Sequence, residues 1–223
     1  MACVLVDENE LKKIKQGKYI NSGDEGSCYL YNNLIFKLYH NSIYDRRVYF
    51  DLENSNNIAF PEDILIDINN KTILGYTMKN LSGINIKNGF LDDLNLENLK
   101  NAYKKIKNEI EKYSYIDMNN ISLTNTLFDY RNNNINLIDT SLWTSGVELD
   151  NLNKERLNYM LIKALCITLD WDRYKLNSQK ILFDLYGMHL NGNSYFIDFL
   201  TEIERSIMEL NQCKIKTIKD LRL

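Results

Sequence analysis

Apolar and polar residues recur along this chain with two different periods, and the change from one to the other divides it. Between Tyr19 and Leu81 the apolar runs are short and strand-like. Tyr19-Ile20 leads through Gly23-Asp24-Glu25-Gly26 to Ser27-Cys28-Tyr29-Leu30-Tyr31, then Asn32-Asn33, then Leu34-Ile35-Phe36-Lys37-Leu38-Tyr39. This order predicts strand, glycine turn, strand, tight hairpin turn, strand. Phe60-Pro61 opens a further strand over 64–68, Asn69-Asn70-Lys71 forms a turn, and 72–81 makes another strand. Within this region residues 43–55 carry apolar groups at Ile43, Val48, Tyr49 and Leu52, which predicts an amphipathic helix ending at 54–57. Residues 7–16 fit either a short helical turn or an edge strand.

From Leu91 the period becomes helical. Leu94, Leu96, Leu99, Tyr103, Ile106 and Ile110 recur with Glu and Lys between them. Residues 115–143 interrupt this pattern: a polar loop, a short strand over 126–129, an Asn-rich turn over 131–134, a second strand over 135–138, and a stop at Asp139. A helical run over 154–171 follows, then amphipathic segments over 178–190 and 195–210 around Asn191-Gly192-Asn193. Trp171, Tyr186, Tyr195 and Phe196 read as core or interface aromatics. The break at 83–89 predicts two domains, a strand-rich 1–82 and a helical 83–223.

Composition narrows the class. At 223 residues, 44% hydrophobic and 26% charged, the chain suits a globular protein with a sizeable core. A net charge of −3 and a pI near 5.5 leave no basic footprint, which argues against nucleic acid as a partner. Cys3, Cys28, Cys166 and Cys213 are far apart with no C-x-x-C pair, and His40 and His189 are the only histidines. Reduced thiols in a cytoplasmic protein are the expectation, without a zinc site. The apolar start soon meets Asp7 and Glu8, too short for a signal peptide, and no run approaches a membrane span. Abundant Asn, Ile and Lys beside one Pro suggest an AT-rich coding genome.

Candidate chemistry gathers at three places. Asn125 and Asp139 flank the two ends of one predicted hairpin, so pairing its strands draws them together. A carboxamide oxygen and a carboxylate so placed can share Mg²⁺, which takes hard oxygen ligands and substrate phosphates. The turn at Gly23 and Gly26 lets backbone N–H groups approach phosphates, although an ordinary hairpin turn has the same residues. Lys37 stands in the middle of an apolar strand, where an inward ammonium needs a partner. An outward-facing lysine is the alternative.

Taken in order, these elements resemble the protein-kinase-like superfamily, in which H-x-D-x-x-x-x-N precedes a hairpin ending in D-F-G. Aligned on Asn125 and Asp139, the family's catalytic Asp falls on Asn120, its His on Met118, and D-F-G on Asp139-Thr140-Ser141. Leu34-Ile35-Phe36-Lys37 resembles V-A-I-K. The resemblance implies an α+β, bilobal fold with an antiparallel β-rich N-lobe carrying one helix and a reduced helical C-lobe. It implies ATP and Mg²⁺ (or Mn²⁺) as cofactors. Gly23, Gly26, Ser27 and Lys37 would hold phosphates, and Glu53 would pair with Lys37, with Asp45 and Asp51 as competitors. Met78 would be the gatekeeper, with 79–81, ending at Leu81, presenting backbone to adenine. Asn125 and Asp139 would hold the metal.

The base half of the pattern is altered. Asn120 cannot take a proton at neutral pH, and Asp117, three residues upstream, is the alternative base. No A-P-E follows Asp139, and 140–153 leaves little room for a peptide-docking platform. The expected function is an ATP- and Mg²⁺-dependent phosphotransferase of small bacterial or phage type, acting on an unidentified protein or small molecule. A pseudokinase that binds nucleotide or a partner protein is the second reading. A globular protein unrelated to kinases is the third.

Overall fold

The computed structural model describes residues 2–43, 55–140, 144–145, 149–170, 195–212 and 214–222. The expected helix around Asp45, Asp51 and Glu53 lies outside the described residues, as do Ser141, Trp171, Tyr186 and the segment 178–190. Among the described residues the chain is α+β, with a six-stranded, mainly antiparallel sheet and four α-helices. It separates into two compact units, 1–81 with 138–143, and 82–137 with 144–223.

The first unit is built on strands β1 (Ala2–Val6), β2 (Lys18–Ser22), β3 (Gly26–Tyr31), β4 (Leu34–Ile43), β5 (Pro61–Asp67) and β6 (Ile73–Lys79). Their order in the sheet is β1-β5-β6-β4-β3-β2. The β3–β4 turn uses Asn32 and Asn33, both with positive φ (49° and 65°), as a two-residue hairpin turn requires. Tyr31 therefore pairs with Leu34, and the register carries Cys28 opposite Lys37. On the other side of β4, Lys37 pairs with Tyr76 of β6.

Alternation along these strands sorts two apolar clusters onto opposite faces. Leu38 joins Val6, Ile14 and Leu65, with Phe36 packed against them. Ile35 joins Ala59, Tyr76 and Met78, with Cys28, Leu30, Tyr39, Leu81 and Ile138 packed beside them. Lys37 has the parity of Ile35 and Tyr39, so its side chain belongs to the second face.

Residues 8–16 form helix α1 (Glu8–Gln16), which decides between the two options open in the sequence. The Asp7 carboxylate accepts from the Glu10 N–H at 2.8 Å, Glu8 and Glu10 occupy the first turn, and Lys13 and Lys15 the last. Cap and charges all match the helix dipole. Strand β1 had no counterpart among the expected elements. Its pairing with β5 is parallel and four of its five residues are exposed, so neither a local turn nor an alternating pattern marks it.

Two glycines hold the strands flanking β4 against it. A Cβ on Gly75, whose φ is +154°, would lie 1.9 Å from the Lys37 carbonyl oxygen. A Cβ on Gly26 would lie 2.3 Å from the Leu38 carbonyl oxygen. Neither neighbour is a flexible side chain that could move aside, so both positions demand glycine.

The second unit has a three-stranded sheet, β10-β9-β7, made by β7 (Ile84–Asn85), β9 (Thr126–Asp129) and β10 (Asn134–Leu137). A two-stranded ladder joins β8 (Ile116–Asp117) to β11 (Thr144–Ser145). Its helices are α2 (Leu96–Lys112), α3 (Asp150–Thr168) and α4 (Phe196–Asn211). The helix expected from Leu91 begins at Leu96, because the Asn95 carboxamide caps it by accepting from the Glu97 and Asn98 N–H groups. The buried Asn158 accepts from the Tyr103 hydroxyl and the Phe196 N–H, each at 2.9 Å, joining α2, α3 and the start of α4. Phe196 is fully buried, whereas Tyr195 is 62% exposed and does not serve the core. No described helix is long and apolar enough to cross a membrane. Cys3, Cys28 and Cys166 are free thiols.

The β9–β10 hairpin turns on Asp129. Its carboxylate accepts from the Ser82 hydroxyl at 2.5 Å, the Asn132 carboxamide at 2.7 Å, and the backbone N–H groups of Arg131 and Asn132. Burial pushes this carboxyl up, but those four donors win and hold it at about 2.

Gly75→Ala is expected to destabilise the protein by about 2–4 kcal/mol, from overpacking and backbone strain together, measured by denaturant unfolding. Gly23→Ala, with nothing near the added Cβ, is expected to change stability by less than about 0.5 kcal/mol. Asp129 is held below its ordinary 3.8, so its contribution is present above that pH and lost as pH falls towards 2. The stability difference between wild type and Asp129→Asn should be about 1–2 kcal/mol near neutrality and shrink below pH 4. A difference unchanged by acid would sink this assignment.

Candidate functional site

In the first unit, the side chain of Lys37 is enclosed. The residue is 5% exposed, its ammonium donates to the Glu25 carboxylate at 3.0 Å and to Asp139 Oδ1, and it stands 5.9 Å from the centroid of the Tyr76 ring. Burial alone would lower the lysine pKa. The neighbouring Asp139 and Glu25 carboxylates outweigh it, and the net direction is upward. The inward alternative for Lys37 is thus the one realised, with acids as its partners.

Each partner is placed by a local feature. Asp139 follows β10 with φ 60°, a left-handed conformation that Asp tolerates better than most residues. That reversal ends the strand run one residue after Ile138, which packs into the apolar cluster beneath Lys37. Thr140 fastens the far side by donating its hydroxyl to the Ala59 carbonyl at 2.8 Å. Glu25 sits in the glycine turn, which closes on itself through Gly23 N–H to Gly26 C=O at 3.0 Å. The His40 N–H donates to the Glu25 carbonyl, and its ring Nε2 lies 3.0 Å from the Gly23 carbonyl, which can only accept. Ser27 faces Ser22 across the β2–β3 ladder, hydroxyl to hydroxyl at 3.0 Å.

Met78 and Leu81 both belong to the apolar cluster on this face, with Ile35, Ala59 and Cys28. Burial pushes the Cys28 thiol up; Lys37 pulls it down and Asp139 pushes it further up, leaving a net rise. That thiol is a packing group and not an activated nucleophile. Among the expected residues, the first unit therefore brings Lys37 and Asp139 into direct contact and collects Met78 and Leu81 in the adjoining cluster. Glu53 lies outside the described residues.

The second unit holds the loop that carries the other expected residues. The Asn125 carboxamide donates to the Asn120 carbonyl at 3.2 Å, and the Asn125 N–H bonds the Ser122 carbonyl and hydroxyl. Met118 is fully buried. Its N–H donates to the Asn153 carboxamide oxygen at 2.9 Å, and Asn153 donates to the Ile116 carbonyl at 2.6 Å. Asn153, itself fully buried on α3, thus clamps the strand that precedes the loop. One turn further along α3, Arg156 forms an ion pair with the Asp117 carboxylate. Asp117 is therefore held by a cation, with its side chain 26% exposed.

Glu25, Asn153 and Arg156 were absent from the expected set. Glu25 stood inside a quoted motif, but its position in the turn gave no reason to aim it at Lys37. Asn153 and Arg156 reach the loop only because α3 packs on it, about 35 residues downstream.

Among the described residues no group of three or more His, Cys, Asp or Glu is placed to hold a metal. Asp139 and Asn125 each offer one hard oxygen donor. Asp139 belongs to the first unit and Asn125 to the second, and an oxygen of either kind is the hard donor that Mg²⁺ accepts.

No protein-family model and no curated protein matches this chain. Among solved structures it is similar to the Cydia pomonella granulovirus kinase PK-1, with 17% identity and a TM-score of 0.38 over 61% of this chain and 57% of that one. The chain thus spans less than two thirds of that kinase, and a superposition at this level defines no family for it.

The raised Lys37 pKa gives a checkable sign. Stabilisation from Lys37 is fully present below its ordinary 10.5 and is lost as pH rises through the higher folded value. Lys37→Met leaves two carboxylates without their shared cation and is expected to lower stability by about 1–3 kcal/mol. In paired denaturation curves, that deficit should stay constant from about pH 7 to 9 and narrow above about pH 10.5. A deficit that already narrows below pH 9 would refute the ion-pair assignment.

Proposed function

We propose that this chain is a kinase-like, nucleotide-binding phosphotransferase, with Lys37 as phosphate clamp and Asp139 and Asn125 as the residues that would hold Mg²⁺. The observation that supports it best is the enclosure of Lys37 in mid-strand against Asp139, 102 residues later in sequence. Lys37 lies on β4 of a mainly antiparallel sheet and Asp139 follows a downstream hairpin, the positions at which the resemblance to protein kinases implied a phosphate-binding lysine and a metal-holding acid; the ion-pair partner it implied for Lys37 was Glu53 and not Asp139. The apolar cluster of Ile35, Met78, Leu81 and Cys28 beside it suits the flat face of a purine.

In this reading the protein works by positioning and electrostatics. Lys37 orients and partly neutralises the nucleotide's phosphates. Asp139 and Asn125 would supply oxygens to a metal, which when bound would neutralise charge on the transferred group. Asn120, at the family's base position, can hydrogen-bond a nucleophile but cannot take its proton. Asp117 can take a proton once it is released from its ion pair with Arg156. A general base contributes about 10²–10⁴-fold, so slow turnover is the expectation. The acceptor is an unidentified protein or small molecule.

A pseudokinase is the second reading, favoured by a specific observation: Asp117, the alternative base three residues upstream of Asn120, is already paired with Arg156. In that case the chain binds nucleotide, or presents a surface to a partner protein, without transferring phosphate.

ATP with Mg²⁺ at a hundred times its Kd is expected to stabilise the wild type by about 2.7 kcal/mol, read as a thermal shift. Lys37→Ala and Asp139→Ala should each abolish that shift. No shift in the wild type with Mg²⁺ or Mn²⁺ would remove the nucleotide-binding reading. Where binding holds, phosphate release that disappears with Asp117→Ala marks the enzyme, and binding without release under either metal marks the pseudokinase.

A further inference from the structure

We propose that the groove between α2 and the β9–β10 turn is a binding site for a sugar phosphate. The groove lies within the second unit and does not depend on the nucleotide-binding reading above. Its volume is about 440 Å³, the size of a small-molecule site. Its lining is polar throughout, where most such sites are largely apolar, and that selects a ligand covered in polar groups.

Helix α2 contributes Asn98, Asn101 and Asn108 with Lys104 and Lys105, and the turn contributes Asn132 and Asn133. Every asparagine of α2 is therefore on this face, although Asn is among the poorer helix formers. The opposite face does the packing, through Leu99, Tyr103, Ile106 and Ile110. The side chains of Asn98, Asn101, Lys104, Asn108 and Asn133 make no hydrogen bond or ion pair among the described residues, so their donors and acceptors are open to a ligand. Both walls are nonetheless fixed. Lys105 donates to the Asn134 carboxamide at 3.1 Å, tying helix to turn, and Asn132 donates to the Asp129 carboxylate at 2.7 Å. A preformed site of this kind loses little entropy on binding.

The ligand class follows from what the lining holds and what it lacks. A carboxamide both donates and accepts, as a hydroxyl does, so several together match a polyol. Two ammonium groups with no carboxylate in the lining call for an anion. Glu97 and Glu109 adjoin the lining in sequence without joining it, and Asp129 behind the turn is occupied by its four donors. The lining has no aromatic ring to stack a base and no apolar side chain to seat an acyl chain or an apolar peptide anchor. Hydroxyls and a phosphate on one small molecule meet both requirements.

The test titrates the full chain with glucose 6-phosphate, ribose 5-phosphate, glucose and inorganic phosphate, following the asparagine side-chain amide signals by NMR. At least one sugar phosphate should move the Asn101 and Asn108 signals to saturation, binding about tenfold or more tightly than glucose or phosphate alone. Lys104→Gln should weaken that binding by about tenfold, the loss of one charge-assisted hydrogen bond. Asn101→Ala should weaken it while raising the thermal midpoint, because alanine is the better helix former; an asparagine that serves only the fold would not give that pairing. Lys37→Ala should leave sugar-phosphate binding unchanged, whatever it does to ATP. No movement with either sugar phosphate overturns the proposal. Phosphate binding as tightly as the sugar phosphates overturns it too, leaving an anion patch, as does an equal loss in Lys37→Ala, which moves the ligand to the first unit. Tighter binding of a glutamate-rich peptide at the same signals overturns it in favour of an acidic partner chain.

Discussion

A single ammonium inside a sheet is the constraint around which the first unit is arranged. An unpaired buried lysine is too costly to keep, and Lys37 is met by acids from two separate segments. The glycine turn supplies Glu25 and the stretch after the second hairpin supplies Asp139. The second segment explains why a piece of chain as late as 138–143 belongs to the compact unit formed by the first 81 residues. Gly75 and Gly26 serve the same arrangement from the backbone side, because each lets a neighbouring strand close onto β4 within one residue of Lys37.

The second unit satisfies a different need. Its loop between β8 and β9 is rich in polar groups, with Met118 and Ile121 buried as its apolar anchors. Buried carboxamides on α3 do the holding: Asn153 takes the backbone on both sides of Asp117, and Asn158 ties Tyr103 to the start of α4. Arg156 adds charge complementarity at Asp117. Asp129 performs the corresponding task at the hairpin by collecting four donors. Fixed polar contacts of this kind add a defined geometry to what apolar packing supplies, a condition for any chemistry that depends on positioning.

Much of this architecture was legible in the residues. The alternation of Leu34 to Tyr39, the Asn32-Asn33 turn, the hairpin flanked by Asn125 and Asp139, and the 3.6-residue periods of α2 and α4 are local signals, set by neighbours within a few positions. Asp7 as N-cap with Glu10 three residues on was also readable and would have settled helix over strand for 8–16. The late start of α2 was readable too, from Asn95 as a cap. Lys37 and Asp139 could be picked out as candidates because charge in an apolar run and an acid after a strand are unusual.

Which groups meet was a tertiary matter. Strand β1 pairs in parallel with a segment 61 residues away, and no local pattern encodes a parallel partner. Glu25 as the acid on Lys37 and Arg156 on Asp117 span 12 and 39 residues, and each depends on the side-chain direction that packing imposes. The sequence by itself determined the periods, the turns and the chemical inventory, since these follow from steric and hydrogen-bonding preferences of short segments. The tertiary structure alone decided the pairing of charges, because burial sets how strongly an ammonium needs a partner and only the folded chain determines which carboxylates are within reach.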